Sequence, residues 1–453
     1  MATENIPKVP LLRFLKHSFE ILKNPLPFHH ENFRRHGDTF KLQIGLKSSV
    51  VFSRDAEFLQ YVLQKNQRNY SKSTIQTQDL AKYVGKGLLT SDGELWKTQR
   101  KLIQPGFHKK QLATILDSMQ HTIETELQKI ETDKPFDIFP VFNDLAFQVV
   151  AKSLFSGAIS QEQINRLQHI TEAAQKMLVR ELRQPYLNRW FRFSGTIQKY
   201  LDLVEESREM LRDIVAERKA SQKRENDLLD MLLDARYEDG SGMEEAQLID
   251  EILILFVAGH ETTSNALTFT CELLARHPEV QQKLRKEVAQ LSHANSLMEK
   301  IKQATYTTQV IEESMRLYPP AYFIDRVNLE DDSFHQMEFE KGTSLLFSVY
   351  EIHRHPDHWE DPLLFNPERF SDRTAKNYSG FYFPFGAGPR MCIGNNFAMY
   401  EMVLAVSHLI QHFEIKPKET PIKTLPLITL KPKDAILHFK KITPNNQRLT
   451  TND

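Results

Sequence analysis

Between Gly37 and Asp55 the chain reads GDTFKLQIGLKSSVVFSRD, with apolar and polar residues alternating on both sides of a short turn. A period of two puts alternate side chains on one face, so this stretch predicts two paired strands. From about residue 109 to 277 the apolar positions recur at helical spacing, and helices are expected throughout. The charged, glycine-marked segment RYEDGSGM (236–243) interrupts them. Strand-like stretches return at TSLLFSVYEI (343–352) and LPLITLKPKDAILHF (425–439). Residues 1–70 and 320–453 are thus expected to carry the strand-rich part and 71–319 to be mainly helical. Strand material from both ends brackets the helices, and no repeat or Gly/Ser- or Pro-rich linker divides them. One domain over 1–453 is the economical reading, with a polar tail, TPNNQRLTTND, fraying at its end.

Composition narrows the class. Of 453 residues 40% are apolar and 26% charged, the balance of a soluble globular protein with ample core material. The net charge of −1 gives no overall field to attract nucleic acid or an anionic membrane. The longest strictly apolar run, Ile252 to Ala258, is far short of a membrane span. The opening MATENIPKVPLLRFLKHSFEILKNP has neither the apolar core of a signal peptide nor an anchor helix, so a cytoplasmic location without a membrane anchor is expected. Two cysteines make a disulfide framework unsuitable.

One of those cysteines lies in FPFGAGPRMCIGNNF (383–397). It could be an inert buried thiol, a redox thiol, a zinc ligand or a ligand to another metal. Zinc needs three or four ligands at regular spacing, and Cys271 is remote, inside the helical pattern ALTFTCELLA. No CxxC is present for thioredoxin-like chemistry. Burial is the ordinary fate of a lone cysteine, but the neighbours argue otherwise. Gly386, Gly388 and Gly394 allow a tight loop, Arg390 suits an anionic partner, and the helix expected from Gly394 points its N–H groups at the sulfur. Such a loop is expected to favour thiolate. A thiolate presented alone suits haem iron.

Phe385, Gly388, Arg390, Cys392 and Gly394 reproduce the FxxGxRxCxG signature, and the chain resembles the soluble, bacterial-type members of the cytochrome P-450 superfamily. The resemblance covers essentially the whole chain, because three further motifs follow in the family's order. It implies a mainly α fold with small β-sheets (α+β), one domain, and haem b (iron protoporphyrin IX) between a long central helix and the cysteine-loop helix. Cys392 would be the axial ligand of the iron, with Phe385 and Gly394 in the haem-binding loop. In EESMR, Glu313 and Arg316 share a helix face and, with Arg369 of FNPERF, resemble the family's structural Glu–Arg–Arg network. A lone E-x-x-R would ordinarily be an exposed salt bridge.

AGHETTSNA follows a fully apolar run, so polar groups there need partners or a task. A zincin reading of His260-Glu261 fails because position 264 is serine. By resemblance Ala258 adjoins the haem, Thr262 offers its hydroxyl to dioxygen in the pocket, and Glu261 helps to relay protons. Thr263 and Ser264 read as helix packing. In ELWKTQRKL, Trp96 and Arg100 match the family's WxxxR and can donate to a haem propionate, as can Arg390. Arg326 matches a position that often does the same, with a surface ion pair as the competing reading.

The resemblance implies a monooxygenase that inserts one oxygen atom of O2 into a C–H bond. No flavin or iron–sulfur module is evident, so a ferredoxin or flavodoxin with its NAD(P)H reductase is the expected donor to a monomeric protein. A peroxide-driven peroxygenase and a haem-based gas sensor are the alternatives. The intact Glu261–Thr262 pair and the lack of a spare signalling segment count against them. Family pocket positions supply Phe323, Ile324, Leu427 and Ile428, which suit a small apolar substrate such as a fatty acid, terpenoid or carotenoid. The cluster Tyr186, Trp190, Phe191 and Phe193 lines the pocket or packs between helices, and polar lining from Gln76, Gln78 or Lys82 would suit a sugar or polyketide. Around WKTQRKLIQPGFHKK, Lys97, Arg100, Lys101, Lys109 and Lys110 form a basic patch with no acid among them, suited to an acidic redox partner.

Overall fold

In a computed structural model, residues 6–45, 48–221, 223–372 and 378–442 are described; the polar tail lies outside them. Helices fill the middle of the chain, and the helix Glu245–Arg276 runs through it. Its sequence ILILFVAGHETTSNALTFTCELLA (252–275) holds no proline and is buried on nearly all sides, as expected of a helix in the middle of a core. The helix Phe139–Phe155 packs along it. A Cβ on Gly259 would come within 2.8 Å of Val150 Cγ2, so glycine leaves room for the Val150 side chain between the two helices. The helix Gln161–Arg183 begins with a capping box: Gln163 N–H donates to Ser160 Oγ (3.2 Å), and Ser160 N–H to Gln163 Oε1 (2.8 Å).

The paired strands expected at 37–55 are Thr39–Gln43 and Ser49–Ser53, antiparallel with Phe40 opposite Phe52. They belong to a six-stranded sheet in which Ser344–Ser348 pairs parallel to Ser49–Ser53 and Phe323–Asn328 pairs antiparallel to Ser344–Ser348. Tyr70–Ser71 closes that edge against Val327 and Asn328. Of the stretch 343–352 the strand takes only the first half; Val349–Ile352 is a helical turn capped by Ser348. The C-terminal stretch supplies the hairpin Lys423–Pro426/Leu430–Lys433 and the strand Ile436–Lys441. Pro135–Asp137, three residues inside the segment expected to be helical, joins Ile436–Lys441 as a strand. A run that short has no readable period, and its partner lies some 300 residues away.

The cysteine-loop helix is Asn395–His412, begun by Gly394. It packs against Thr305–Leu317, Glu245–Arg276 and Leu116–Leu127, which join in one core through Val403, Leu409, Val310, Leu267 and Ile123.

Candidate active site

Glu313 and Arg316, fully buried on the helix Thr305–Leu317, form a paired contact: Arg316 Nε donates to Glu313 Oε2 (2.7 Å) and Nη2 to Oε1 (2.8 Å). The exposed salt bridge is therefore excluded. Arg316 Nη1 also donates to the carbonyls of His353 (2.7 Å) and Pro362 (2.8 Å), and Nη2 to that of Leu364 (3.1 Å). Glu313 Oε1 accepts from Asn366 N–H (2.9 Å) and, more weakly, from Arg369 Nε (3.4 Å). Farther on, Tyr382 donates to the Glu312 carbonyl (2.7 Å) and Phe383 N–H to His353 Nε2 (2.8 Å). Glu312, Glu313 and Arg316 on one helix, with His353 after the helical turn Val349–Ile352, thus fix the strap that delivers the cysteine loop.

Inside the loop, Cys392 N–H donates to the Phe385 carbonyl (2.9 Å) and Met391 N–H to that of Gly388 (3.0 Å). Gly388 has φ of 69°, and a Cβ there would lie 1.9 Å from the Leu63 carbonyl oxygen, so the loop crosses the Tyr61–Lys65 turn at bare backbone distance. Cys392 is accessible although closely surrounded by protein. Burial pushes its pKa up, while the Gly394 N–H and the Arg100 guanidinium pull it down. The expectation that the loop itself favours thiolate is thus corrected: desolvation dominates, and a metal on sulfur would have to supply the rest. Cys271 is buried within the central helix with its thiol pushed far up, an inert position. Among the described residues no group of three or more His, Cys, Asp or Glu is placed to hold a metal ion.

On the central helix Leu255, Ala258, Gly259 and Thr262 are accessible while the residues around them are largely buried. Spacings of three and four put these on one face, an open stripe on an otherwise covered rod. Thr262 Oγ1 donates to the Ala258 carbonyl (2.8 Å), which leaves its lone pairs directed off the helix. Glu261 is buried, and its Oε1 accepts from Thr429 Oγ1 (2.7 Å); Asn265 Nδ2 donates to the same hydroxyl (3.0 Å). Glu261 is therefore held toward the Lys423–Leu430 side, one helical step from Thr262. Thr429 was missed in the sequence, although Leu427 and Ile428 beside it were singled out.

Trp96 is buried on the helix Gly93–Ile103, with the Arg390 guanidinium 4.7 Å above its ring. Arg390 pairs with Asp92, yet its Nε and Nη1 are buried without a partner among the described residues. Arg100 Nη1 donates to the Met391 carbonyl (2.8 Å), which places it against the cysteine loop. Arg326 is 8% exposed, and among the described residues no carboxylate pairs with it, so the surface ion pair is excluded. Burial and the nearby Arg390 pull its pKa down to about 10. Lys72, not anticipated, joins the cluster: burial, then Arg390 and Arg326, pull it down to about 7, and its Nζ donates to the Leu88 and Leu89 carbonyls (2.7 and 2.9 Å). It follows Ser71, which pairs with Val327 beside Arg326, a neighbour that only sheet register reveals. Buried cations with donors to spare ask for an anionic ligand. Together with the accessible thiol and the flat apolar stripe of the central helix, they fit a haem with its propionates.

Other expectations change. Tyr186, Trp190 and Phe193 are 72%, 60% and 85% exposed; only Phe191 turns inward, under the Arg180 guanidinium. Three of the four aromatics therefore neither line the pocket nor pack between helices. Gln76 donates to Asp325, and Lys82 Nζ to both oxygens of Glu181 (2.6 Å each), which also accepts from Tyr83. Gln78 is exposed. The basic patch is not free of acids either: Lys97 pairs with Glu94 and Lys101 with Glu238.

The cytochrome P450 family model matches residues 7–439. The chain is 30% identical over 422 residues to the cyclooctat-9-en-7-ol 5-monooxygenase of Streptomyces melanosporofaciens, covering 90% of this chain and 88% of that protein. It is 27% identical over 401 residues to pentalenene oxygenase of Streptomyces avermitilis, covering 88% of each. With the chloroplastic protein Lutein Deficient 5 of Arabidopsis thaliana the identity is 29% over 449 residues, 93% of this chain and 74% of that one. The crystal structure of the cytochrome P450DA haem domain superposes with a TM-score of 0.85 over 98% of this chain and all of that one, at 21% identity, a likeness of fold. With cysteine loop, central helix and Glu–Arg clamp in this arrangement, the chain belongs to the cytochrome P450 family and is an enzyme of its monooxygenase class.

Proposed function

We propose that this chain, acting as a single haem domain in the cytoplasm, holds haem b through Cys392 Sγ and hydroxylates an apolar substrate of the fatty acid, terpenoid or carotenoid class. The balance is RH + O2 + two electrons + two protons giving ROH + H2O, with the electrons supplied by a ferredoxin or flavodoxin and its NAD(P)H reductase. When bound, the haem supplies the oxygen activation. Arg390 and Arg326, with Lys72, hold its anionic edge, and Trp96 carries the Arg390 guanidinium. Thr262 offers its hydroxyl in the pocket, and Glu261 passes protons toward it, steadied by Thr429. The observation that carries this reading is the accessible Cys392 thiol, held by Phe385 and answered by an open apolar stripe on a buried helix.

An apolar substrate is favoured because Gln76 and Lys82, the polar candidates for the pocket wall, are already engaged by Asp325 and Glu181. The substrates named for relatives, cyclooctat-9-en-7-ol and pentalenene, are terpenoids. The ferrous–CO complex is expected to show the strongly red-shifted Soret band of thiolate ligation. Cys392→His should abolish that band and Cys271→Ala keep it; the opposite pattern would overturn the ligand assignment. Turnover with a surrogate ferredoxin and reductase, set against peroxide alone, separates the monooxygenase from a peroxygenase.

A further inference from the structure

The helix Asn395–His412 ends in HLIQH, so His408 and His412 stand one turn apart on the same face. Their ring centroids are 4.3 Å apart, with the ring planes inclined at 41°. Two imidazoles bound at right angles to one ion, with metal–nitrogen distances of about 2.0 Å, would have centroids roughly 4.5 Å apart. The helix thus already holds the rings at a spacing that a single ion can bridge. Among the described residues, neither ring takes part in a hydrogen bond or an ion pair, so their nitrogens are free to coordinate.

The surroundings keep the pair available. His408 is half-buried and His412 exposed. The helix Leu116–Leu127 packs against this one and brings up Glu124, and the helix Leu297–Gln303 brings up Lys300. Burial, then the neighbouring His412, pull the His408 pKa down to about 4; Lys300 acts in the same direction and Glu124 opposes it. At neutral pH the His408 ring therefore carries a free lone pair rather than a second proton. Gln120 Nε2 steadies the Glu124 carboxylate by donating to Oε1 (2.6 Å). That carboxylate is not a third ligand, since among the described residues no such trio is placed to hold an ion. Its charge acts from farther off and offsets part of a cation's.

We propose that His408 and His412 form a surface site for a divalent transition-metal ion, held by two imidazole nitrogens at right angles with water in the remaining positions. Right angles belong to tetragonal and octahedral shells, so Cu2+ and Ni2+ fit better than tetrahedral Zn2+. Mg2+ and Ca2+ take oxygen ligands and find none of the right kind in the two rings. The site lies about 20 Å along the helix axis from the Cys392 end, so it is separate from the haem and stands whatever substrate the pocket takes. An ion there ties down the last turn of the cysteine-loop helix. From that turn the His412 carbonyl accepts the Ile442 N–H (2.9 Å), and the strand Phe413–Pro417 follows at once. The pairing of the rings exists only in the folded chain, so the ion stabilises the fold.

Untagged holoprotein, dialysed against EDTA and then freed of it, is titrated with Ni2+ by calorimetry, with Mg2+ as the control ion. One equivalent of Ni2+ should bind, and Mg2+ should not. His408→Ala and His412→Ala should each weaken Ni2+ binding about tenfold or more, because the second nitrogen no longer acts at high effective concentration. Ni2+ should raise the thermal unfolding midpoint of the parent and leave that of His408→Ala/His412→Ala where it was. Unchanged ferrous–CO spectra would show that the variants are folded. No uptake of Ni2+ by the parent would overturn the proposal, as would a double variant that binds it equally well. Loss of binding in only one of the two single variants would do the same, since the rings would then not act as a pair.

Discussion

His353 is fully buried, and its Nε2 accepts the Phe383 N–H at 2.8 Å, a role open only to a ring nitrogen that carries no proton. Burial, with Arg316 and Arg354 nearby, pushes its pKa down from 6.5 to about 3. Between those values the unfolded chain holds a proton that the folded one refuses. Stability is therefore fully present above pH 6.5 and falls as pH drops toward 3, by an amount on the order of 4 kcal/mol. His353→Gln keeps an acceptor for Phe383 and should flatten that acid limb. Denaturant midpoints at pH 7 and pH 5 measure it, and an unchanged acid slope would place the sensitivity elsewhere. The loop glycines should separate just as clearly. Gly388→Ala drives a Cβ into the Leu63 carbonyl at 1.9 Å and should give little haem-loaded protein. At Gly394 a Cβ would meet nothing of the chain within 4 Å, so Gly394→Ala should leave the apoprotein's circular dichroism intact. Any loss of haem loading there would report contact with the haem itself.

Among the elements, the helix Thr305–Leu317 has the largest structural duty, since it holds the strap to the cysteine loop at Glu313, Arg316 and the Glu312 carbonyl. Glu313→Ala would leave Arg316 buried with its ionic partner gone, at a cost of about 3–5 kcal/mol. Low yields of haem-loaded protein are the expected result; normal yields would mean that the carbonyl bonds of Arg316 suffice. Lys82 and Tyr83 tie the turn Ala81–Val84 to Glu181 of the helix Gln161–Arg183. Glu181→Gln should loosen that tie, raising amide exchange in residues 75–84 without changing the CO spectrum. Much of this level was legible in the sequence, because long amphipathic helices and alternating strands announce themselves by period. Hidden from it were elements whose partners lie far along the chain, such as Pro135–Asp137 and Lys72. The Tyr186–Phe193 aromatics show a different limit: composition gave their apolarity, but only tertiary placement gave their direction.

At the scale of the whole molecule, the charges available to a redox partner differ from those counted along the chain. Lys97 and Lys101 are paired with Glu94 and Glu238, whereas Lys109 and Lys110 are exposed and, among the described residues, unpaired. Lys109→Glu with Lys110→Glu should therefore slow first-electron transfer from an acidic ferredoxin by about tenfold at low ionic strength, and less as salt rises. Stopped-flow reduction with substrate binding unchanged is the measurement, and rates indifferent to both charge and salt would move the docking site. Linear sequence hid Glu238, which comes from a loop 137 residues away, whereas Glu94 stands three residues before Lys97 and was in view. The hydroxyl of Thr429 bonds Glu261 and Asn265, and it follows Leu427 and Ile428 on the hairpin that the proposed function sets against the substrate. Whatever reshapes that hairpin to admit a new molecule also displaces the acid beside Thr262. Selectivity and the thrift with which electrons are used are thus written into the same few residues. A lineage or an engineer that broadens the one through this hairpin should see reducing power leak away as peroxide, until position 429 is retuned.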